Sequence, residues 1–107
     1  MYRYIWKIKL NNPSDEQRFI KHWKESSKIL QTFPGALGTH LHKVRDEESS
    51  FYAVAEWESQ KARDSMTEEV NNGNTKRAIA WRKFPKNDSF GQIISFAGPE
   101  IEAVLPN

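Results

Sequence analysis

The sequence predicts an α+β domain of the split β-α-β type, built on an antiparallel sheet. Three stretches carry this expectation. Residues 34–59, PGALGTHLHKVRDEESSFYAVAEWES, hold two alternating runs joined by the polar turn Asp46 to Ser50, the pattern of a β-hairpin. Ahead of the hairpin lie an alternating run and a long amphipathic stretch. Behind it come helix-forming sequence and a last short alternation.

In the first run Tyr2, Tyr4, Trp6, Ile8 and Leu10 alternate with Arg3, Ile5, Lys7 and Lys9, which makes a strand with one largely apolar face. Asn11, Asn12 and Pro13 break it. Ser14, followed by Asp15, Glu16 and Gln17, starts a helix with acids near the positive end of its dipole. Phe19, Trp23, Leu30 and Phe33 form its apolar stripe, narrowed at the middle by Ser26 and Ser27, and Lys21, Lys24, Glu25 and Lys28 take the other face, for about five turns. Pro34 and Gly35 stop this helix, because the residue before a proline disfavours the α region and glycine accepts positive φ.

Gly38 opens the second strand, with His40, His42 and Val44 on one face and Thr39, Leu41 and Lys43 on the other. The third strand sets Phe51, Ala53, Ala55 and Trp57 against Tyr52, Val54 and Glu56, and its two alanines leave room beside the sheet. Ser59 caps a further helix whose buried candidates are Ala62 and Met66. Between Asn71 and Asn87 the reading stays open: a loop-like opening precedes either a short helix or an ordered excursion around Ile79 and Trp81. Asp88 and Ser89 then cap a run in which Phe90, Ile93, Ile94 and Ala97 fall at helical spacing, predicting about two helical turns. Gly98 and Pro99 close it, and Glu100 to Leu105 is expected as the last strand.

A chain of 107 residues is the size of one domain, residues 1–107. It has no cysteine, which removes disulfides, thiol nucleophiles and cysteine-based metal sites. Lys and Arg number 16 against 14 Asp and Glu, with the signs interleaved, so no nucleic-acid partner is expected. There is no long apolar segment, and Met1 leads straight into a strand-like run; no membrane partner and a cytoplasmic location are expected. Four Trp, three Tyr and six Phe are enough to line a pocket or a subunit interface as well as a core.

The order strand, long helix, PGALGTHL, hairpin, AEWES, helix and AGPEIEAVL resembles the antibiotic biosynthesis monooxygenase domain of the dimeric ferredoxin-like α+β barrel proteins. The resemblance implies a four-stranded antiparallel sheet, a homodimer whose two sheets pack face to face, and a small pocket in each subunit between sheet and helices. Strands with apolar residues on both faces, such as Tyr52 and Val54 opposite Phe51 and Ala53, fit that arrangement, since a second subunit would cover the outer face. The superfamily hosts several chemistries, so the fold alone does not select one. Its haem-degrading members resemble one another in an Asn on the first strand, a Trp in the second helix and a later His ligand. Here Trp6 and Lys7 stand on that strand, Met66 is near the Trp position, and no histidine follows it.

His40 and His42, two apart on one strand, share a face about 7 Å apart. A general base, a metal pair, and polar surface or interface residues are the open readings. No acid or third histidine is placed by local sequence to complete a metal site, so none is assigned, and His40 and His42 stand as catalytic candidates. Cofactor-free oxygenation, one activity the resemblance implies, needs only an aromatic pocket that deprotonates and orients a hydroxylated ring and keeps water out. Tyr4, Trp6, Tyr52, Trp57, Trp81 and Arg82 are the candidate substrate-binding set, beside a plainer reading in which Trp57 anchors the strand-to-helix turn and Trp81 packs on the surface. The expected function is a cofactor-independent monooxygenase-like protein, without a bound cofactor, acting on a small aromatic or quinol-type molecule. The alternative is a non-catalytic small-ligand-binding or stress-related protein of the same fold.

Overall fold

A computed structural model describes residues 1–107. Four strands form one antiparallel sheet: β1 (Tyr2–Leu10), β2 (Ala36–Lys43), β3 (Ser50–Trp57) and β4 (Gly91–Pro99), in the order β2-β3-β1-β4. Three helices accompany it: α1 (Glu16–Leu30), α2 (Gln60–Asn72) and α3 (Lys76–Lys83). Two short 3-10 turns, Pro13–Asp15 and Asn87–Phe90, lead into α1 and β4. This is the split β-α-β arrangement, with β1 at the centre, paired to β3 from Tyr2 to Lys9 and to β4 from Tyr2 to Leu10.

The alternation in β1 is realised as two faces. Ile8 and Leu10 are buried with Phe19, Phe51 and Phe90 in one apolar cluster, and Trp6, Ile20, Trp23, Leu41 and Ile93 pack against it. A second cluster joins Phe33, Ala55, Trp57 and Met66, with Tyr2, Tyr4, Ala62 and Trp81 against it. Phe33 lies past the end of α1, which is one turn shorter than its apolar stripe predicts, yet it is still buried. The outer face of the sheet has no helix over it.

A β-bulge at Leu37 decides which residues of β2 face which way. Ala36 pairs with Trp57, but Gly38, not Leu37, pairs with Glu56. Gly35 (φ 85°) and Gly38 (φ 136°) supply the positive φ that the bend requires. A side chain at Gly35 would meet the Ala62 Cβ at 2.5 Å, and its carbonyl accepts from the Glu58 amide at 2.9 Å, so the turn is locked onto the start of α2. Beyond the bulge, Thr39 and Leu41 pair with Ala55 and Ala53 on the helix side, and His40 and His42 pair with Val54 and Tyr52 on the outer side.

The C-terminal region corrects two expectations. Phe90 to Ala97 is not a helix: Gly91–Pro99 is strand β4. Its apolar residues point both ways, Ile93 opposite Ile8 on the inner face and Ile94 and Phe96 on the outer, so the period-two signal is hidden. Glu100 to Leu105 is not a strand: the register of β4 on β1 runs out at the Tyr2–Pro99 pair, and past it only the Met1 carbonyl accepts from the Glu100 amide at 2.8 Å. The open segment around Trp81 is a helix, α3.

Candidate functional site

Between the sheet and the helices lies a hollow bordered by Trp6, Ala53, Ala55 and Thr39 from the sheet, Trp23, Ser26, Ser27 and Leu30 from α1, Trp81 from α3, and Asn87. Its origin is local. Ser26 and Ser27 replace large apolar residues in the stripe of α1, and Ala53 and Ala55 do the same on β3, so two surfaces of small side chains face each other and do not fill the gap. The free space is about 40 Å³, room for a water or two and far below the roughly 300–1,000 Å³ of a small-molecule site. A wider groove of about 280 Å³ runs between the Gly35 turn and α2, but Glu58, Ser59, Lys61 and Glu69 border it and it offers no aromatic wall.

The α2–α3 hairpin holds Trp81 in place. The Glu69 carboxylate accepts from Arg77 Nε at 2.6 Å and Nη2 at 2.7 Å and from the Thr75 hydroxyl at 2.6 Å. This bidentate pairing, with the Thr75 bond, holds the Glu69 carboxyl down to about 2. Arg77 also lies over the Phe33 ring at 5.3 Å and donates to the Thr32 carbonyl, tying α3 to the end of α1. Arg82 donates to the Gly73 carbonyl at 2.8 Å and to that of Val70. It closes the α2–α3 turn and does not border the hollow.

The opposite wall is held by an aromatic clip. His22 of α1 lies between Phe84 (4.7 Å) and Phe90 (5.0 Å), and Phe90 also meets Phe19 at 5.6 Å with the Arg18 guanidinium over its ring at 4.7 Å. Burial lowers the His22 pKa, against a hydrogen bond to the Pro85 backbone that raises it, and the Arg18 charge lowers it further. The folded protein therefore keeps this ring neutral at a pH where the unfolded chain would protonate it. The sign follows: above the ordinary value of 6.5 His22 contributes no pH dependence, and stability falls as pH drops from there toward the lowered folded value. We expect the urea midpoint to decrease between about pH 7.5 and 5.5, and the His22→Leu variant to lose much of that slope; an unchanged slope in the variant would contradict the clip.

The candidate residues of the sequence divide cleanly. Trp6 and Trp81 border the hollow. Tyr4 is near it on the same face, its hydroxyl bonded to Ser95 Oγ at 3.2 Å and its ring under the Arg63 guanidinium at 4.9 Å. Trp57 is fully buried in the second cluster and borders neither the hollow nor the wider groove, which places it in the core. His40, His42 and Tyr52 lie on the outer sheet face, away from the hollow. His42 stacks on Tyr52 (4.7 Å, 7°), and His40 Nε2 is 3.5 Å from Glu56, which also pairs with Arg3 at 3.2 Å. Among groups of His, Cys, Asp and Glu, none is arranged to hold a metal ion. Trp23, Ser26, Ser27 and Asn87 are wall residues outside the candidate set; the narrowing of the α1 stripe at Ser26 and Ser27 is the signal for them in the sequence.

An antiparallel sheet in this order with helices on one face defines the ferredoxin-like α+β class. Within that class the chain belongs to the antibiotic biosynthesis monooxygenase family, whose model matches residues 1–70. The fold is similar to that of SnoaB, a cofactor-independent oxygenase from Streptomyces nogalater, with a TM-score of 0.69 and 16% identity over 99% of this chain and 97% of that one. It is similar also to a dimeric ferredoxin-like protein from an uncultured marine organism, TM-score 0.67 and 14% identity over 99% and 92%. A search of curated proteins finds no match. No helix is long and apolar enough to cross a membrane.

Proposed function

We propose that this protein is a cofactor-independent monooxygenase acting, as a homodimer, on a small aromatic quinol-type molecule bound in the Trp6–Trp23–Trp81 hollow. The hollow carries the reading: aromatic walls with a few hydroxyls and one amide, in the place between sheet and helices, in a chain of this family. The space is smaller than a ring, so a tryptophan side chain of the wall must turn aside to admit one. The substrate supplies the electrons: a phenol ring carbon takes one oxygen atom and becomes a quinone carbonyl, and the other atom leaves as water. No ionisable side chain borders the hollow, so the substrate must lose its hydroxyl proton to solvent. The protein holds the ring, leaves a place for oxygen and excludes bulk water.

That same absence of a base favours a second reading, in which the molecule is bound and not turned over. Oxygen consumption by protein dialysed against a chelator, with a panel of hydroquinones and hydroxylated polycyclic aromatics, separates the two. Uptake that disappears in Ala55→Leu supports the oxygenase; the added side chain fills the hollow at a tolerable cost of about 1–3 kcal/mol. Saturable quenching of tryptophan fluorescence without uptake supports the binding protein. Neither signal overturns both.

The homodimer rests on the outer sheet face. Ile94 and Phe96 are 67% and 63% exposed there. Ile5 and Val54 lie beside Phe96 in one row across the strands. Around them run the Lys7–Glu47 and Arg3–Glu56 pairs. An apolar centre with a charged rim is the make-up of an interface, and a helix-free face of a small sheet is otherwise left to water. The partner this fits is a second copy of the same face.

A further inference from the structure

We propose that Asn87 is the specificity-determining residue of the hollow: its amide oxygen accepts a hydrogen bond from a ring hydroxyl of the ligand, so the site selects phenols and hydroquinones over their methyl ethers. This rests on the reading of the hollow as a ligand site and adds to it the functional group that is recognised. The observation is an orphan. Asn87 borders the hollow, and its Oδ1 is shut off from solvent with no hydrogen-bond partner in the protein. Buried amide oxygens are almost always satisfied, and an unpaired one carries a desolvation penalty that a ligand donor can relieve. Thr39, Ser26 and Ser27 hydroxyls can both donate and accept, whereas a carboxamide oxygen only accepts, so it alone demands an O–H or N–H from whatever occupies the space.

The backbone of its turn is also held in place. The 3-10 turn that begins at Asn87 is closed by Ser89, whose amide and hydroxyl both donate to the Lys86 carbonyl at 3.2 and 2.9 Å. The turn ends in Phe90, buried against Phe19 and His22, whose carbonyl accepts from the Asn11 amide at 3.0 Å. The backbone that carries the acceptor is thus in place before the ligand arrives, which lowers the ordering cost of a hydrogen bond made there. Trp81 and Asn87 both lie beyond residues 1–70, which the family model matches.

The test compares 1-naphthol with 1-methoxynaphthalene, two probes of the same ring system, by quenching of tryptophan fluorescence in the full chain. The native protein is expected to bind the naphthol roughly ten- to a hundredfold more tightly. In Asn87→Leu, which keeps the branching of the side chain and removes the acceptor, the preference is expected to collapse, with the affinities for naphthol and ether becoming alike. Asn87→Ala serves as a second variant, with circular dichroism reporting the fold. Equal affinities in the native protein overturn the proposal without any variant. A preference that survives both variants overturns it while leaving the ligand site standing. Binding of neither probe overturns it together with the reading of the hollow.

Discussion

Trp57→Ala is expected to lower stability by about 3–5 kcal/mol, measured as the urea midpoint and thermal midpoint followed by circular dichroism. Trp57 is 0% exposed, closing the second core cluster against Phe33, Ala55 and Met66, and it is the last residue of β3 before the chain turns into α2. Its removal leaves a cavity at the junction of sheet, α1 end and α2, which the locked Gly35 turn prevents from collapsing. A domain of this size has about 5–15 kcal/mol in total, so the variant is expected to lose about 15–30 °C in thermal midpoint. Trp57→Phe isolates the cause. The indole Nε1 is buried without a partner, so phenylalanine forfeits no hydrogen bond and is expected to cost only about 1–2 kcal/mol. A Trp57→Ala variant as stable as the native protein would contradict the placement of this residue in the core.

Phe96→Asp is expected to convert the proposed dimer to a monomer while leaving the fold intact. Phe96 projects from β4 on the outer face, where it packs on no helix, so the isolated subunit does not depend on it. In the dimer the new carboxylate would be desolvated near the centre of the interface beside Ile5, where the neighbouring cations Arg3 and Lys7 are already paired with Glu56 and Glu47. The penalty is several kcal/mol, equivalent to a loss of about a thousandfold or more in dimer affinity. Light scattering on a sizing column at micromolar concentration reads the result, with Phe96→Leu as the variant that remains a dimer. A monomeric native protein would remove the homodimer from the proposed function outright.

How much of this could be read from the sequence depended on whether each segment has one buried face or two. Tyr2 to Leu10 and Phe51 to Trp57 alternate because helices cover only one side of them, and α1 shows its stripe because only one side of it is buried. β4 hid itself: Ile93 and Ala97 serve the inner face and Ile94 and Phe96 the outer, and four apolar residues so placed coincide with helical spacing. The tail from Glu100 to Leu105 alternates well and yet pairs with no strand, since β4 is matched to β1 as far as Tyr2 and Pro99 and the tail runs on past the end of that partner. The hollow was partly legible, because Ala53 and Ala55 announce missing volume on one side and Ser26 and Ser27 mark it on the other. Asn87 could not be found that way. An orphan acceptor is defined by which partners are missing, and only the three-dimensional surroundings show that.

The bulge at Leu37 gives this lineage an unusual lever over its own chemistry. Straight pairing from Ala36 onward would place residue 38 opposite Ala55 and residue 40 opposite Ala53, which turns His40 and His42 toward the helices and Thr39 and Leu41 outward. The extra residue held in the bulge therefore keeps the hydroxyl and the leucine on the interior side and the pair of imidazoles outside; taken up by straight pairing, it would exchange the two sets in one event. Deleting Leu37 itself would leave every pair from Gly38 onward unchanged, so the side chains that reach the interior depend on how the turn is paired and not on its length.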